Sequence, residues 1–141
     1  TMEAAVRVLT RNGCDVVVPV GQGCCGALNL HGGDMEMARA LARRNIDVFL
    51  QAGVKRIVVA SAGCGSTMKE HHELLAGDPA YAEKAARFSA MVVDITNPHP
   101  PLSHRERVAG GRVRDDAPAP TIPRQYAVQK DVTTGEVCNK K

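Results

Sequence analysis

Asp15-Val16-Val17-Val18-Pro19-Val20-Gly21-Gln22-Gly23-Cys24-Cys25-Gly26 runs from a β-branched stretch straight into a glycine-rich turn that carries two adjacent cysteines. The run DVVVPV is apolar on both faces, as expected of a buried parallel strand. A vicinal thiol pair on a backbone with little side-chain bulk suits a soft metal or a redox bond better than a hydrophobic core. The last six residues also spell G-x-G-x-x-G, the fingerprint of a dinucleotide-binding turn. Two chemistries therefore compete for one loop.

Working outward, the same pattern recurs. Arg56–Ser61 (RIVVAS) is a second β-branched run, and it leads into Ala62-Gly63-Cys64-Gly65. Met91–Ile95 (MVVDI) reads as a third strand. Between them lie helical segments: Thr1–Asn12, with Ala4, Ala5, Val8 and Leu9 on one face, and Asp34 to about Ala52. In the second, Asp34 is an N-cap, Ala38, Leu41, Ala42, Asn45 and Phe49 form one stripe, and Gly53 is the stop. A helix from about Ser66 to Leu75 and another from Ala80 to about Ser89 flank the break at Gly77-Asp78-Pro79. Residues 27–33 show no periodicity. This alternation predicts an α/β fold, a Rossmann-like parallel sheet with flanking helices. Ligands in such folds gather beyond the carboxyl ends of the strands, where both cysteine-bearing turns fall. Cys24, Cys25 and Cys64 are thus expected to meet.

The pattern stops near Thr96. Six of the eight prolines lie at or beyond Pro98, among the arginines of 105–114, so residues 97–141 read as a disordered Pro/Arg-rich tail. Within it Gln125–Val128 is the one short piece that suits an extended strand. The chain therefore divides into a domain over 1–96 and a tail over 97–141.

Composition narrows the function. Hydrophobic residues make up 44% of the 141 and aromatics only 3%, so the core must be aliphatic. The net charge of +3 arises entirely in the tail, since residues 1–96 carry ten basic and ten acidic side chains. A balanced body offers no basic face for nucleic acid. Five cysteines, four of them within the first 64 residues and irregularly spaced, point to a reducing compartment and to metal or redox thiols. No apolar run approaches the ~20 residues of a membrane span.

The dinucleotide reading fails on spacing. In that fingerprint the helix opens within the glycines so that its N–H groups face the pyrophosphate. Here seven residues separate Gly26 from the helix expected at Asp34. The acidic residue should end the second strand, yet Asp47 falls inside a helix.

Thiolates select soft metals and iron–sulfur clusters, and nearby backbone N–H groups tune them. Gln22-Gly23-Cys24-Cys25-Gly26-Ala27-Leu28, Ala38–Ile46, Ala62-Gly63-Cys64-Gly65 with Lys69-Glu70, and Asp78-Pro79-Ala80-Tyr81-Ala82 together resemble the cysteine-rich CCG domain family. The resemblance covers about residues 1–96 and is nearest to the iron–sulfur subunits of glycolate oxidase (glycolate dehydrogenase). It implies that Cys24 and Cys25 are the vicinal ligands, that Cys64 is the second position of a C-x-x-C, and that Ser61 occupies the first. It also implies a further ligand cysteine upstream of Thr1, in a segment that includes the first strand of the sheet. The implied cofactor is an iron–sulfur cluster of 4Fe–4S type. The implied role is relay of electrons from a flavin-containing glycolate oxidase subunit towards a quinone or other membrane-side acceptor, in the cytoplasm or peripheral to the inner membrane. The hydride chemistry would belong to the flavin partner, so no catalytic residue is expected here. Two other readings stand beside it: a non-catalytic remnant or partner-binding module, and a metal-free thiol redox protein using Cys24 and Cys25.

The remaining candidates have plainer roles. Cys14 reads as a small core residue and Cys138 as a thiol near the chain end. His31 lies in the cysteine loop, where it faces water or donates to a sulfur. His71 and His72 sit beside Lys69, Glu70 and Glu73 and read as a solvated helix face. Met35 and Met37 read as packing at a helix start, and 105–114 as a solvated charge run.

Overall fold

A computed structural model of the chain describes residues 2–96 and 125–128. The elements follow in the order α1 (Met2–Arg11), β1 (Asp15–Val17), α2 (Ala27–His31), α3 (Met35–Gln51), β2 (Arg56–Val59), α4 (Ala62–Lys69), α5 (His71–Leu74), α6 (Ala82–Met91), β3 (Val92–Asp94) and β4 (Gln125–Val128). They build a mixed α/β structure around a small sheet of order β1-β4-β2-β3. All three pairings are parallel, with Val16 opposite Tyr126, Ile57 opposite Ala127 and Val58 opposite Val93. A small parallel sheet with flanking helices is what the alternation of segments predicts.

The apolar residues that alternate along β2 go to opposite faces, as the two-residue period of a strand requires. Ile57 and Val59 pack with Ile46 and Phe49 of α3 and Phe88 of α6 on one side. Val58 joins Leu9 of α1, Cys14 and Val93 on the other. Cys14 is the buried core residue its position suggests. α3 is the longest helix. The Asp34 carboxylate accepts from the Met37 N–H at 3.1 Å, and the chain leaves through Gly53 at φ +66°.

Four expectations change. The first strand is shorter and less buried than its sequence suggests: β1 ends at Val17, and Val17 and Val18 are exposed. It is an edge strand, covered only where Val16 meets the α1 side. The face that α1 buries is Ala5, Val6 and Leu9; Ala4 and Val8 point outward. Residues 27–31 form a helix where none is foreseen. Finally, the second glycine-rich turn is itself helical, because α4 starts at Ala62 rather than Ser66 and the Gly65 N–H closes on the Ser61 carbonyl at 2.8 Å. Of the tail, Gln125–Val128 takes the extended form open to it. The expected disorder elsewhere, the charge run at 105–114 and Cys138 lie outside the described residues.

Candidate functional site

β1 and β2 run parallel, so the segments that leave them emerge at the same end of the sheet. The first is the loop 18–26, which ends on Gly26 at φ +84°. That left-handed conformation favours glycine, while a Cβ there would make ordinary contact with the Ala38 carbonyl oxygen at 3.4 Å. The second is α4, whose first turn carries Cys64.

Helix α3 holds the cysteine loop from below. Asn45 is completely buried, and its side chain bonds the loop twice: Oδ1 accepts from the Gly23 N–H at 2.9 Å and Nδ2 donates to the Cys24 carbonyl at 2.8 Å. Arg44 Nε adds a bond to the Gly21 carbonyl at 2.9 Å. The Cys24 sulfur accepts from the Gly26 N–H at 3.4 Å, the kind of contact that sets the electron density of a ligand sulfur.

His71 supports the other cysteine. It is completely buried, stacked on Phe88 with ring centroids 5.5 Å apart and planes at 13°, and bonded through Nε2 to the Cys25 carbonyl at 3.1 Å. The carbonyl can only accept, so Nε2 carries the proton. Nδ1 is then a buried acceptor without a partner among the described residues. This corrects the reading of His71 as solvated; only its neighbour His72 is exposed. Glu70 sits between α4 and α5, and the chain turns there enough to swing His71 inward.

Cys25 is buried, and its thiol shares a hydrogen bond with Cys64. That bond, with burial second, pushes the Cys25 pKa far above the usual thiol range, so Cys25 is held protonated. Neither Cys25 nor Cys64 is in a disulfide. The structure thus joins two of the three expected sulfurs, Cys25 and Cys64, with Cys24 next to Cys25 in sequence. Among the described residues no three His, Cys, Asp or Glu side chains are grouped closely enough to hold a metal ion. The donors present are thiols flanked by glycine N–H groups, which fits a soft metal in kind.

Sequence reasoning missed two supporting residues. Asn45 carries a visible signal, a polar side chain in an apolar stripe that needs a buried partner. His71 carries none, because its neighbours are charged. His31 ends α2 and is exposed. Met35 and Met37, expected to pack at the start of α3, are also exposed.

The dinucleotide reading needs one amendment. A helix does open directly at Gly26, but it is only five residues long. Asp47 lies within α3, where it accepts from the Tyr81 hydroxyl at 2.6 Å and pairs with Lys84. It is thereby committed to pinning α3 against α6.

Burial lowers the pKa of His71, with the bond to the Cys25 carbonyl opposing that shift. The unfolded chain protonates this residue near pH 6.5, so below that pH the unfolded state binds more protons than the folded one. Stability should then fall with pH until the folded pKa is reached, by up to about 1.4 kcal/mol per unit. Urea midpoints measured between pH 7.5 and 5.5 check this, and His71→Gln should flatten the slope. The carboxyls of Asp78 and Asp94, held low by Arg43 and by Thr96, act in a separate window at more acid pH.

Comparison with known proteins shows what the chain is similar to. The family described as CCG, cysteine-rich domain, matches residues 1–69, a stretch that includes Cys24, Cys25 and Cys64. The chain is 36% identical over 97 residues to the probable glycolate oxidase iron–sulfur subunit of Bacillus subtilis, covering 69% of this chain and 22% of that protein. It is 39% identical over 98 residues to the glycolate oxidase iron–sulfur subunit of Escherichia coli, covering 67% and 24%. It is 35% identical over 95 residues to lactate utilization protein A of Bacillus licheniformis, covering 67% and 39%. The chain therefore spans less than half the length of these relatives. No solved structure matches it.

Proposed function

We propose, from the match of residues 1–69 to the cysteine-rich CCG domain family, that this chain is a cluster-holding portion of an electron-transfer iron–sulfur subunit serving a 2-hydroxy acid oxidase, with glycolate as the substrate of the assembly. The observation that carries the reading is the meeting of Cys25 and Cys64 at the carboxyl end of the sheet, in a chain whose relatives are named as iron–sulfur subunits.

In this reading Cys24, Cys25 and Cys64 are the ligands, and a 4Fe–4S cluster would supply one-electron transfer. This chain's own residues hold the sulfurs. Asn45 and Arg44 fix the loop, His71 fixes the Cys25 carbonyl, and the Gly26 N–H adjusts the Cys24 sulfur. Three thiolates are one short of the usual four, so the fourth position would take a ligand other than these three cysteines. The electrons would arrive from a flavin-bearing partner subunit and leave towards a quinone, on the cytoplasmic side of the membrane. Among the described residues no helix is long and apolar enough to cross a membrane. Binding also requires Cys25 to lose the proton it shares with Cys64, so loading should release protons and weaken as pH falls.

Anaerobic reconstitution with iron and sulfide, followed by iron and acid-labile sulfide analysis and EPR, tests the reading. We expect bound iron in the unaltered chain, lost in Cys25→Ser and Cys64→Ser and kept in Cys14→Ser. Iron retained without Cys64 would sink it. The hydrogen-bonded Cys25–Cys64 pair also supports a second reading, a metal-free dithiol. Its signature is an iron-free protein with a reversible two-electron disulfide titration that disappears in either serine variant.

A further inference from the structure

The strand that is last in sequence lies inside the sheet. β4 pairs with β1 on one edge and with β2 on the other, and β1 and β2 do not pair with each other. Among the described residues β1 has no strand partner except β4. Edge strand β1 leads directly into the loop of Cys24 and Cys25, while β2 leads into Cys64. The two cysteine-bearing segments are therefore spaced by a four-residue strand from the far end of the chain.

We infer that the gap between β1 and β2 is a strand-acceptor slot, and that Gln125–Val128 of the same chain fills it as a positioning strand that sets one cysteine segment against the other. Three observations support this. Parallel pairing on both edges satisfies the backbone of β4 without help from side chains, as in recognition by strand addition. Ala127, opposite both Val17 and Ile57, is completely buried in the cluster that also holds Cys25, Ala42 and Ile46. The slot thus takes a small residue at its centre and passes the strand's presence directly to the Cys25 side. The thirty residues 95–124 tether β4 to β3. Covalent connection makes the pairing intramolecular, which favours the chain's own slot over that of a second copy. The inference does not depend on whether the cysteines hold iron.

Hydrogen–deuterium exchange on the full chain tests it by following four segments: 125–128, 15–17, 21–26 and the middle of α3. In the unaltered protein the amides of 126–128 should exchange at least ~100-fold more slowly than an unstructured chain. Exchange at the unstructured rate overturns the inference. So does protection that vanishes on dilution together with a dimer mass, because the strand would then come from a second copy. Ala127→Asp, which forces a charge into the core, should abolish protection at 125–128 and speed exchange at 15–17 and 21–26 at least ~10-fold while α3 stays protected. Loss at 125–128 with 21–26 unchanged overturns the positioning role. Should α3 also lose protection, Ala127→Gly decides: it removes one methyl and should speed exchange at 15–17 and 21–26 by ~3-fold or more, and no change there overturns the inference.

Discussion

Replacing Asn45 with alanine is expected to lower the unfolding free energy by about 2–4 kcal/mol and to expose the cysteine loop. The side chain is completely buried and makes two bonds to one short backbone stretch, at 2.9 Å to the Gly23 N–H and 2.8 Å to the Cys24 carbonyl. Alanine leaves both loop groups without that partner, and each orphaned polar group that stays out of water costs about 1–3 kcal/mol. Asp at this position separates the two contacts. It keeps an acceptor for Gly23 but turns a second oxygen towards the Cys24 carbonyl and buries a charge, so Asn45→Asp should lose at least as much as Asn45→Ala. Urea denaturation gives the energies. The rate at which a thiol reagent modifies Cys25 reports the loop, and it should rise several-fold more than any rate set by global unfolding alone. Equal stability in Asn45→Ala and the unaltered protein would contradict the clamp.

Asn45 also shows what the sequence made legible. Helix α3 announces itself through Asp34, the spacing of Ala38, Ala42 and Phe49, and Gly53, all local signals in and beside a seventeen-residue helix. The β-branched runs mark β2 and β3, and the glycine-flanked cysteines mark the end of the sheet where they emerge. What stayed hidden depends on shorter or longer range. α2 is five residues, less than two turns, so no periodicity can declare it; its entry depends on the left-handed Gly26. The start of α4 inside Ala62-Gly63-Cys64-Gly65 defies propensity, since two glycines disfavour a helix interior. The pairing of Gln125–Val128 is beyond local reading altogether, because four residues can look extended without saying which strands they join. His71 looks solvated because only the turn at Glu70 rotates it inward.

Replacing Phe88 with alanine should be the most damaging single change, costing about 3–5 kcal/mol by the usual loss for a buried aromatic. The ring is completely buried in α6 between two others: Phe49 of α3, with centroids 5.9 Å apart and planes at 57°, and His71, stacked nearly parallel at 5.5 Å. With only two Phe and two Tyr in the chain and no Trp, the aliphatic core has no large neighbour able to refill the space. Domains of this size keep only about 5–15 kcal/mol in total, so Phe88→Ala should lie close to unfolding at ambient temperature. The consequence reaches the site through His71. Once its stacking surface is gone, the imidazole gains water, its lowered pKa relaxes towards the ordinary value, and its hold on the Cys25 carbonyl weakens. Phe88→Leu separates the two effects, because it retains most of the apolar volume while removing the flat face. Leucine should therefore recover more than half of the stability lost in alanine yet show nearly the same shallow pH dependence between 7.5 and 5.5. A leucine variant with the full pH slope of the unaltered protein would mean that burial alone, and not the Phe88 face, keeps His71 neutral beneath Cys25.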